Sequence, residues 1–449
     1  MTQSRARRRG PGTPAKILVL TDSDSYVKWG AALAGRVPSS WHVRFLIARG
    51  SAEPSDRQVA EAVAGTVIDP ASVERVSLDE LRAILRDWRP DVLVTAARGL
   101  AVQTAIELAV ENTPDRPVLV SGLPGIALPV LPYGLGFRRS VDLFVLHSHR
   151  EIRAFTEASR SLDIPHRYAL ARLPFLEVAT PATDGPVRDR IIFAAQALVP
   201  ETREERLRMV DALVRTALAH PELEVVVKIR GTSDEPQTHA DQHPYPDLLA
   251  TMVEDGVDVP PNLLVESGPM AQHLQRAVGL VTVSSTALLE AVAAGVPAIA
   301  LTDFGVEARQ INLVFEGSGL LRDSTELVAA RFHHPDAAWR DDNYFHDLGD
   351  ETWLADLEEL LATRAREGLP PYPSAPDGPR KRVTMFFYRH QAFAGDSGVL
   401  RRTLERGVVA VALRVSRSSW VVSRRFKPAR TAPMGDVLPE DASHRSRAR

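Results

Sequence analysis

The sequence predicts an α/β protein of two doubly wound parallel-sheet domains facing a cleft, with a basic C-terminal extension. Three observations predict it. Apolar strand-like runs alternate with helical patterns from Lys16 to His147. The alternation breaks at the Pro/Gly/Thr-rich stretch from Thr180 to Arg188, TPATDGPVR, and restarts at Arg190. Finally, Leu280 to Gly305, LVTVSSTALLEAVAAGVPAIALTDFG, reads as a buried strand, a hydroxyl-rich turn, a helix, a Gly-x-Pro break and a second strand. Repeated strand–helix alternation is the mark of a parallel sheet covered on both faces.

The elements follow in order. Lys16 to Thr21 (KILVLT) is an apolar strand, and Tyr26 to Arg36 is a helix with Ser25 as a plausible N-cap. Trp41 to Ala48 alternates as a strand, Ser77 to Trp88 is a helix, and Asp91 to Thr95 is a strand after Pro90. Ala101 to Glu111 is helical; Pro117 to Val120 and Val141 to His147 are strands. After the break, Arg190 to Ala195 is a strand, Glu201 to Ala219 a long helix, and Glu224 to Ile229 a strand. Asn262 to Val265 is a short strand and Met270 to Ala277 a helix, leading into the strand–turn–helix stretch. The division is therefore a basic disordered arm over 1–15, a first domain over 16–179, a linker over 180–189, a second domain over 190–370 and a tail over 371–449. The tail is proline-rich at its start and about ten charges basic from Asp377 onward. Leu400 to Val422 can form a helix docking on the body, and the last residues read as disordered.

A chain of 449 residues has ample length for two cores. The net charge of −3 gives no case for a nucleic-acid partner. The absence of cysteine excludes disulfides, thiolate catalysis and cysteine-ligated metal. The N-terminal arm lacks the apolar core of a secretory signal, and no apolar run approaches the roughly 20 residues of a membrane span. The expectation is a cytoplasmic protein, peripheral at most, whose basic tail is either solvated or a contact for anionic lipid.

Ligands of open α/β sheets bind beyond the carboxyl ends of the strands, so residues there are the candidates. Ser284, Ser285 and Thr286 stand at a helix N-terminus, where unpaired N–H groups and hydroxyls can hold a phosphate. Glu290 follows Thr286 by four residues on the same helix face and can accept from ribose hydroxyls. A hydroxyl cap with a dipole-matched glutamate is the alternative. Asp22 and Asp24 follow the first strand as a pair able to supply a general base, or as acids flanking a helix cap. His147, ending another strand, can shuttle a proton near neutral pH. His147 and His149 are spaced for a metal pair but no third ligand is evident, so no metal site is expected. Lys228 and Arg230 point to one side of a strand end and can neutralise a diphosphate, or mark a strand emerging into solvent. The loop from Ser121 to Arg139 is long and irregular, which is often functional, with Arg138 and Arg139 read as surface residues. The stretch after Gly231, holding His239 and His243, reads as a loop over the cleft.

These sites, in this order, resemble a GT-B-type glycosyltransferase. The segments TDSDSYVKW, LPGIALP, LFVLHSHRE, VVVKIRG, QTHADQHPY and VSSTALLEA are similar to those of a group of actinobacterial glycosyltransferases, over roughly residues 15 to 330. More distantly, Ser284-Ser285-Thr286, Glu290, Gly295 and Pro297 resemble the donor segment of bacterial polysaccharide and glycerophosphate transferases. Those carry Lys-x-His-Pro where this chain has Lys228-Ile229-Arg230-Gly231, which sets it apart from the sialyl and glycerophosphate branches. The resemblance implies two Rossmann-like domains and metal-independent transfer from a nucleotide sugar to a hydroxyl of a glycan or lipid-linked acceptor in cell-surface polysaccharide or glycoconjugate synthesis, with no cofactor. It implies Ser284, Ser285, Thr286, Lys228 and Arg230 on the diphosphate, Glu290 on the ribose, and Asp22, Asp24 or His147 activating the acceptor. A nucleotide-sugar 2-epimerase and a non-catalytic nucleotide- or glycan-binding protein are the alternatives the same fold allows.

Overall fold

Two parallel sheets, joined by a chain that crosses between them and back, make up the protein. The computed structural model describes residues 14–372, apart from 51, 114, 165, 174–175, 177–186 and 230–240, together with residue 393. The first sheet has seven strands in the order β3 (Glu74–Val76), β2 (His42–Ala48), β1 (Lys16–Thr21), β4 (Val92–Ala96), β5 (Val118–Gly122), β6 (Leu143–Leu146) and β7 (Tyr168–Leu170). The second has six, in the order β10 (Leu263–Glu266), β9 (Glu224–Lys228), β8 (Arg190–Ala194), β11 (Ala277–Thr282), β12 (Ala298–Leu301) and β13 (Leu321–Arg322). Every pairing within the two sheets is parallel.

The central strands are largely apolar because they are buried on both faces. In β1, Ile17 and Val19 enter one cluster with Val92, Val94 and Trp29, while Leu18 and Leu20 enter another with Leu46, Leu93 and Phe144. The second sheet repeats this, with Ile192 and Leu280 on one face and Ile191, Phe193 and Val281 on the other. Each fully buried Leu, Ile or Val contributes about 1.5–3 kcal/mol, so these layers dominate stability.

Strand order reverses direction between β1 and β4 in the first sheet and between β8 and β11 in the second. Such switch points leave a crevice outside the carboxyl ends of the strands, which is where α/β proteins hold ligands. The crevices are flanked by Asp22–Ser25 and Arg98 in the first domain, and by Gln196 and Ser284–Thr286 in the second.

Several boundaries differ from the sequence reading. The first helix is Asp24–Gly35 with Ser23 as N-cap, two residues earlier than expected. Ala15, assigned to the arm, is buried, and its carbonyl accepts from His42 N at 2.7 Å. The last helix, Trp353–Arg366, falls in the expected second domain by sequence yet packs on the first sheet. Trp353 and Leu357 enter the cluster of Ile17 and Val19, and Arg36–Glu351, Arg167–Asp356 and Arg364–Asp91 ion pairs line its approach. Its apolar face belongs to the first core, so the second domain ends before it. Phe393 is buried in the first-domain core, against which the partly buried Tyr372 also packs. The expected helix from Leu400 to Val422 lies outside the described residues, as does most of the linker. Among the described residues, no helix is long and apolar enough to cross a membrane.

Candidate nucleotide-sugar site

The helix after β11, Ala287–Ala293, buries Ala287, Leu288, Leu289, Ala291 and Val292 and leaves Glu290 half-buried. Its end is set by Gly295 at φ +67, with Gly295 N donating to Val292 O and Val296 N to Ala291 O. That pair of bonds is a Schellman motif, and the left-handed backbone it needs explains the glycine. The turn before the helix is held from within. Ser285 N donates to Thr282 Oγ1 at 3.3 Å and Ala287 N to Ser285 Oγ at 3.2 Å.

Ser284 is held from across the switch point by a residue the sequence reading missed. Gln196 accepts from Ser284 N at 2.9 Å through Oε1 and donates to Ser284 Oγ at 3.1 Å through Nε2. Gln196 is in turn fixed by Arg206, which is 1% exposed. Its guanidinium donates to the carbonyls of Gln196, Ala197, Pro200 and His243 and to Asp241 Oδ1 at 2.8 Å. The available signal for Gln196 was its place directly beyond the strand RIIFA. Gln196→Ala is expected to weaken nucleotide binding about ten-fold, by freeing the Ser284 turn. Calorimetric titration checks this.

Glu290 is the electrostatic centre of the site. Burial raises its pKa above the ordinary carboxylate value, while Lys28 and Lys228 oppose the rise. Lys28 comes from the first helix of the first domain and Lys228 from the end of β9 in the second. The site therefore draws charge from both sides of the cleft. Asp24 lies four residues before Lys28 and shares its helix face, which places it on the same side. Arg230 lies outside the described residues, as does His239 of the expected covering loop.

The remaining candidates are placed elsewhere. Asp22 is 3% exposed and held by Arg98, accepting from its Nε at 2.8 Å and its backbone N at 3.2 Å. Burial raises its pKa against the pull of Arg98. Through Oδ2 it clasps Arg98 across the β1/β4 crevice.

His147, expected to shuttle a proton, lies in the interior of the first domain. It is fully buried, Trp29 Nε1 donates to its Nε2 at 2.8 Å, and its Nδ1 donates to the Ala171 carbonyl at 2.7 Å. The Leu123 carbonyl closes off Nε2 further at 2.9 Å. Burial lowers its pKa to about 4, against the pull of the Ala171 and Leu123 carbonyls. The ring is therefore neutral near pH 7. A lowered histidine pKa stabilises the fold fully above about pH 6.5 and progressively less as pH falls toward 4. His147 is expected to stay neutral in an NMR titration until about pH 4. Titration near 6.5 would contradict its burial.

His149 does not join it; its ring meets the buried His346 edge-on and its Nε2 lies 3.7 Å from the exposed Asp350 carboxylate. Among the described residues, no group of three or more His, Asp or Glu is arranged to hold a metal ion. Arg138, expected at the surface, is fully buried. It donates to Ser121 Oγ, Tyr26 Oη and the carbonyls of Ala97 and Gly134, binding the first helix to the ends of β4 and β5. Five donors on a rigid fork suit that internal role.

Two Rossmann-like parallel sheets with opposed switch points define the GT-B type of fold. The chain belongs to the family described as "Putative glycosyltransferase (DUF6716)", which matches residues 17–360. No curated protein matches it in sequence. Among solved structures it is similar to the S. aureus MnaA–UDP co-structure, at 11% identity and a TM-score of 0.50, covering 81% of this chain and 100% of that one. A UDP-N-acetylglucosamine 2-epimerase is similar at 13% identity, with the same TM-score and coverage. The Anabaena Alr3699/HepE structure, in complex with UDP and glucose, has 14% identity and a TM-score of 0.45 over 78% of this chain and 95% of that one. At these identities the likeness is one of fold.

Proposed function

We propose that this protein is a glycosyltransferase that moves a sugar from a nucleotide-sugar donor to a hydroxyl acceptor. The observation that carries the reading is Glu290, half-buried beside the Ser284–Thr286 turn and under the influence of Lys28 and Lys228 from opposite domains. A carboxylate is an acceptor that suits a ribose diol, and two lysines match a diphosphate. The family's description supports the activity.

In the proposed step the acceptor oxygen attacks the anomeric carbon and the bond from that carbon to the diphosphate oxygen breaks. The electron pair leaves with the diphosphate, stabilised by Lys28, Lys228 and the Ser284–Thr286 turn in place of a divalent ion. The acceptor proton passes to Asp24, the one of the three sequence candidates on the Lys28 face. The acceptor is a glycan or lipid-linked hydroxyl of a surface polysaccharide or glycoconjugate.

Incubation with a panel of nucleotide sugars, with and without saccharide acceptors, tests the reading. Release of nucleoside diphosphate that increases with acceptor supports it. Conversion of UDP-GlcNAc alone to its manno epimer, with no acceptor needed, would replace transferase by epimerase.

A further inference from the structure

The loop 123–131 of the first domain crosses to the second domain and meets the site. Leu128 is buried, and Ile126 and Val130 pack with it, among Leu288, Val314, Phe315, Trp339 and Tyr344 of the second domain. At Gly125 a Cβ atom would stand 3.3 Å from the Thr286 methyl group, so the backbone there already lies against the hydroxyl turn. The root of the loop is fixed by close packing. A Cβ at Gly122 would fall 2.4 Å from the Trp29 ring, whose N–H holds His147.

The middle of the loop is fixed by a carboxylate with no role in the transfer step. Glu151 is fully buried in the first turn of the helix His149–Leu162. Its Oε1 accepts from Ala127 N at 2.9 Å and from Tyr344 Oη at 2.6 Å, and its Oε2 accepts from His147 N at 3.0 Å. Each of these partners is a donor, which suits an acceptor-only carboxylate. Tyr344 is also fully buried and follows the second-domain helix Ala337–Asp342, so its hydroxyl bonds across the domain junction.

We propose that Glu151 and Tyr344 are positioning residues that hold loop 123–131 across the domain junction, and that Gly125 sets nucleotide-sugar affinity through its contact with Thr286. The assignment rests on the functional reading above and adds the part of the first domain that shapes the donor site. It also explains the glycine, since any side chain at residue 125 presses on Thr286.

Two variants test it in the full-length chain. Tyr344→Phe keeps the ring and removes only the hydroxyl. It is expected to raise the nucleotide Kd about ten-fold and to speed hydrogen exchange at the Ala127 amide. Gly125→Val touches neither Glu151 nor Tyr344. It is expected to raise the Kd by a similar factor, with Ala127 exchange unchanged. A merely structural role for Tyr344 would lower thermal stability without moving the Kd.

If wild-type protein binds a nucleoside diphosphate and both variants bind it within two-fold of wild type, the proposal is overturned. If wild-type protein binds none, the functional reading fails instead. Faster Ala127 exchange in Tyr344→Phe would then still support the holding of the loop, and unchanged exchange would overturn it.

Discussion

Replacing Glu290 by alanine is expected to weaken nucleotide binding by about ten- to a hundred-fold, matching the loss of hydrogen bonds to a charged acceptor. The fold should survive, because Glu290 contributes to the site and not to the core around Leu288 and Leu289. Burial raises its folded pKa above the unfolded value. A raised acid binds its proton more tightly in the folded state, so folding is favoured at low pH. That stability is lost as pH rises from about 4.5 through the folded pKa. Glu290→Gln, which removes the titrating group, should therefore raise the melting temperature at pH values above that range while losing nucleotide affinity. Thermal melts at pH 4 and pH 7 beside calorimetric titration would separate the two effects. A variant that loses stability at pH 7 and keeps its affinity would assign Glu290 to packing.

Arg206→Ala is expected to have the largest effect on stability, about 3 kcal/mol, because it removes a fully buried cation and strands the partly buried acceptors around it. Five contacts disappear together: four carbonyls, of Gln196, Ala197, Pro200 and His243, and the Asp241 carboxylate. The guanidinium also lies over the Tyr245 ring, 5.3 Å from its centroid. The same change releases the backbone of Gln196, whose side chain holds Ser284. Both the denaturant midpoint and nucleotide affinity should therefore fall. Loss of stability with unchanged affinity would show that the Ser284 turn holds its shape without this support.

Two-sheet architecture was readable because runs such as KILVLT and EVVVKI are apolar on both faces and separated by helical patterns. Short edge strands were not. In β3, Glu74 and Arg75 sit at a solvated edge and carry no strand signal, and β7 and β13 have only three and two residues. The helix Trp353–Arg366 showed its apolar stripe but not its destination, because nearness in sequence does not choose between two sheets.

At the site, the Ser284–Thr286 turn and Glu290 were visible from strand–turn–helix grammar and the four-residue spacing. Arg138 was placed in solvent by residue type, and Asp22 and His147 in the cleft by their positions at strand ends, whereas their partners come from distant segments. Arg138 is held by Tyr26 and Ala97, Asp22 by Arg98 through Oδ2, and His147 by Trp29 and Ala171. A polar side chain at a strand end looks the same in sequence whether it faces a ligand or a backbone carbonyl. Gln196 escaped for the converse reason, since a lone glutamine after a strand carries no pattern until Ser284 is folded against it.

The most direct test of the central claim is isothermal titration of the wild-type protein and Glu290→Ala with UDP, GDP, CDP and CMP. At least one nucleoside diphosphate is expected to bind the wild type and to bind the variant at least ten-fold more weakly. Binding of none of the four to the wild type, or equal binding to both proteins, would contradict it.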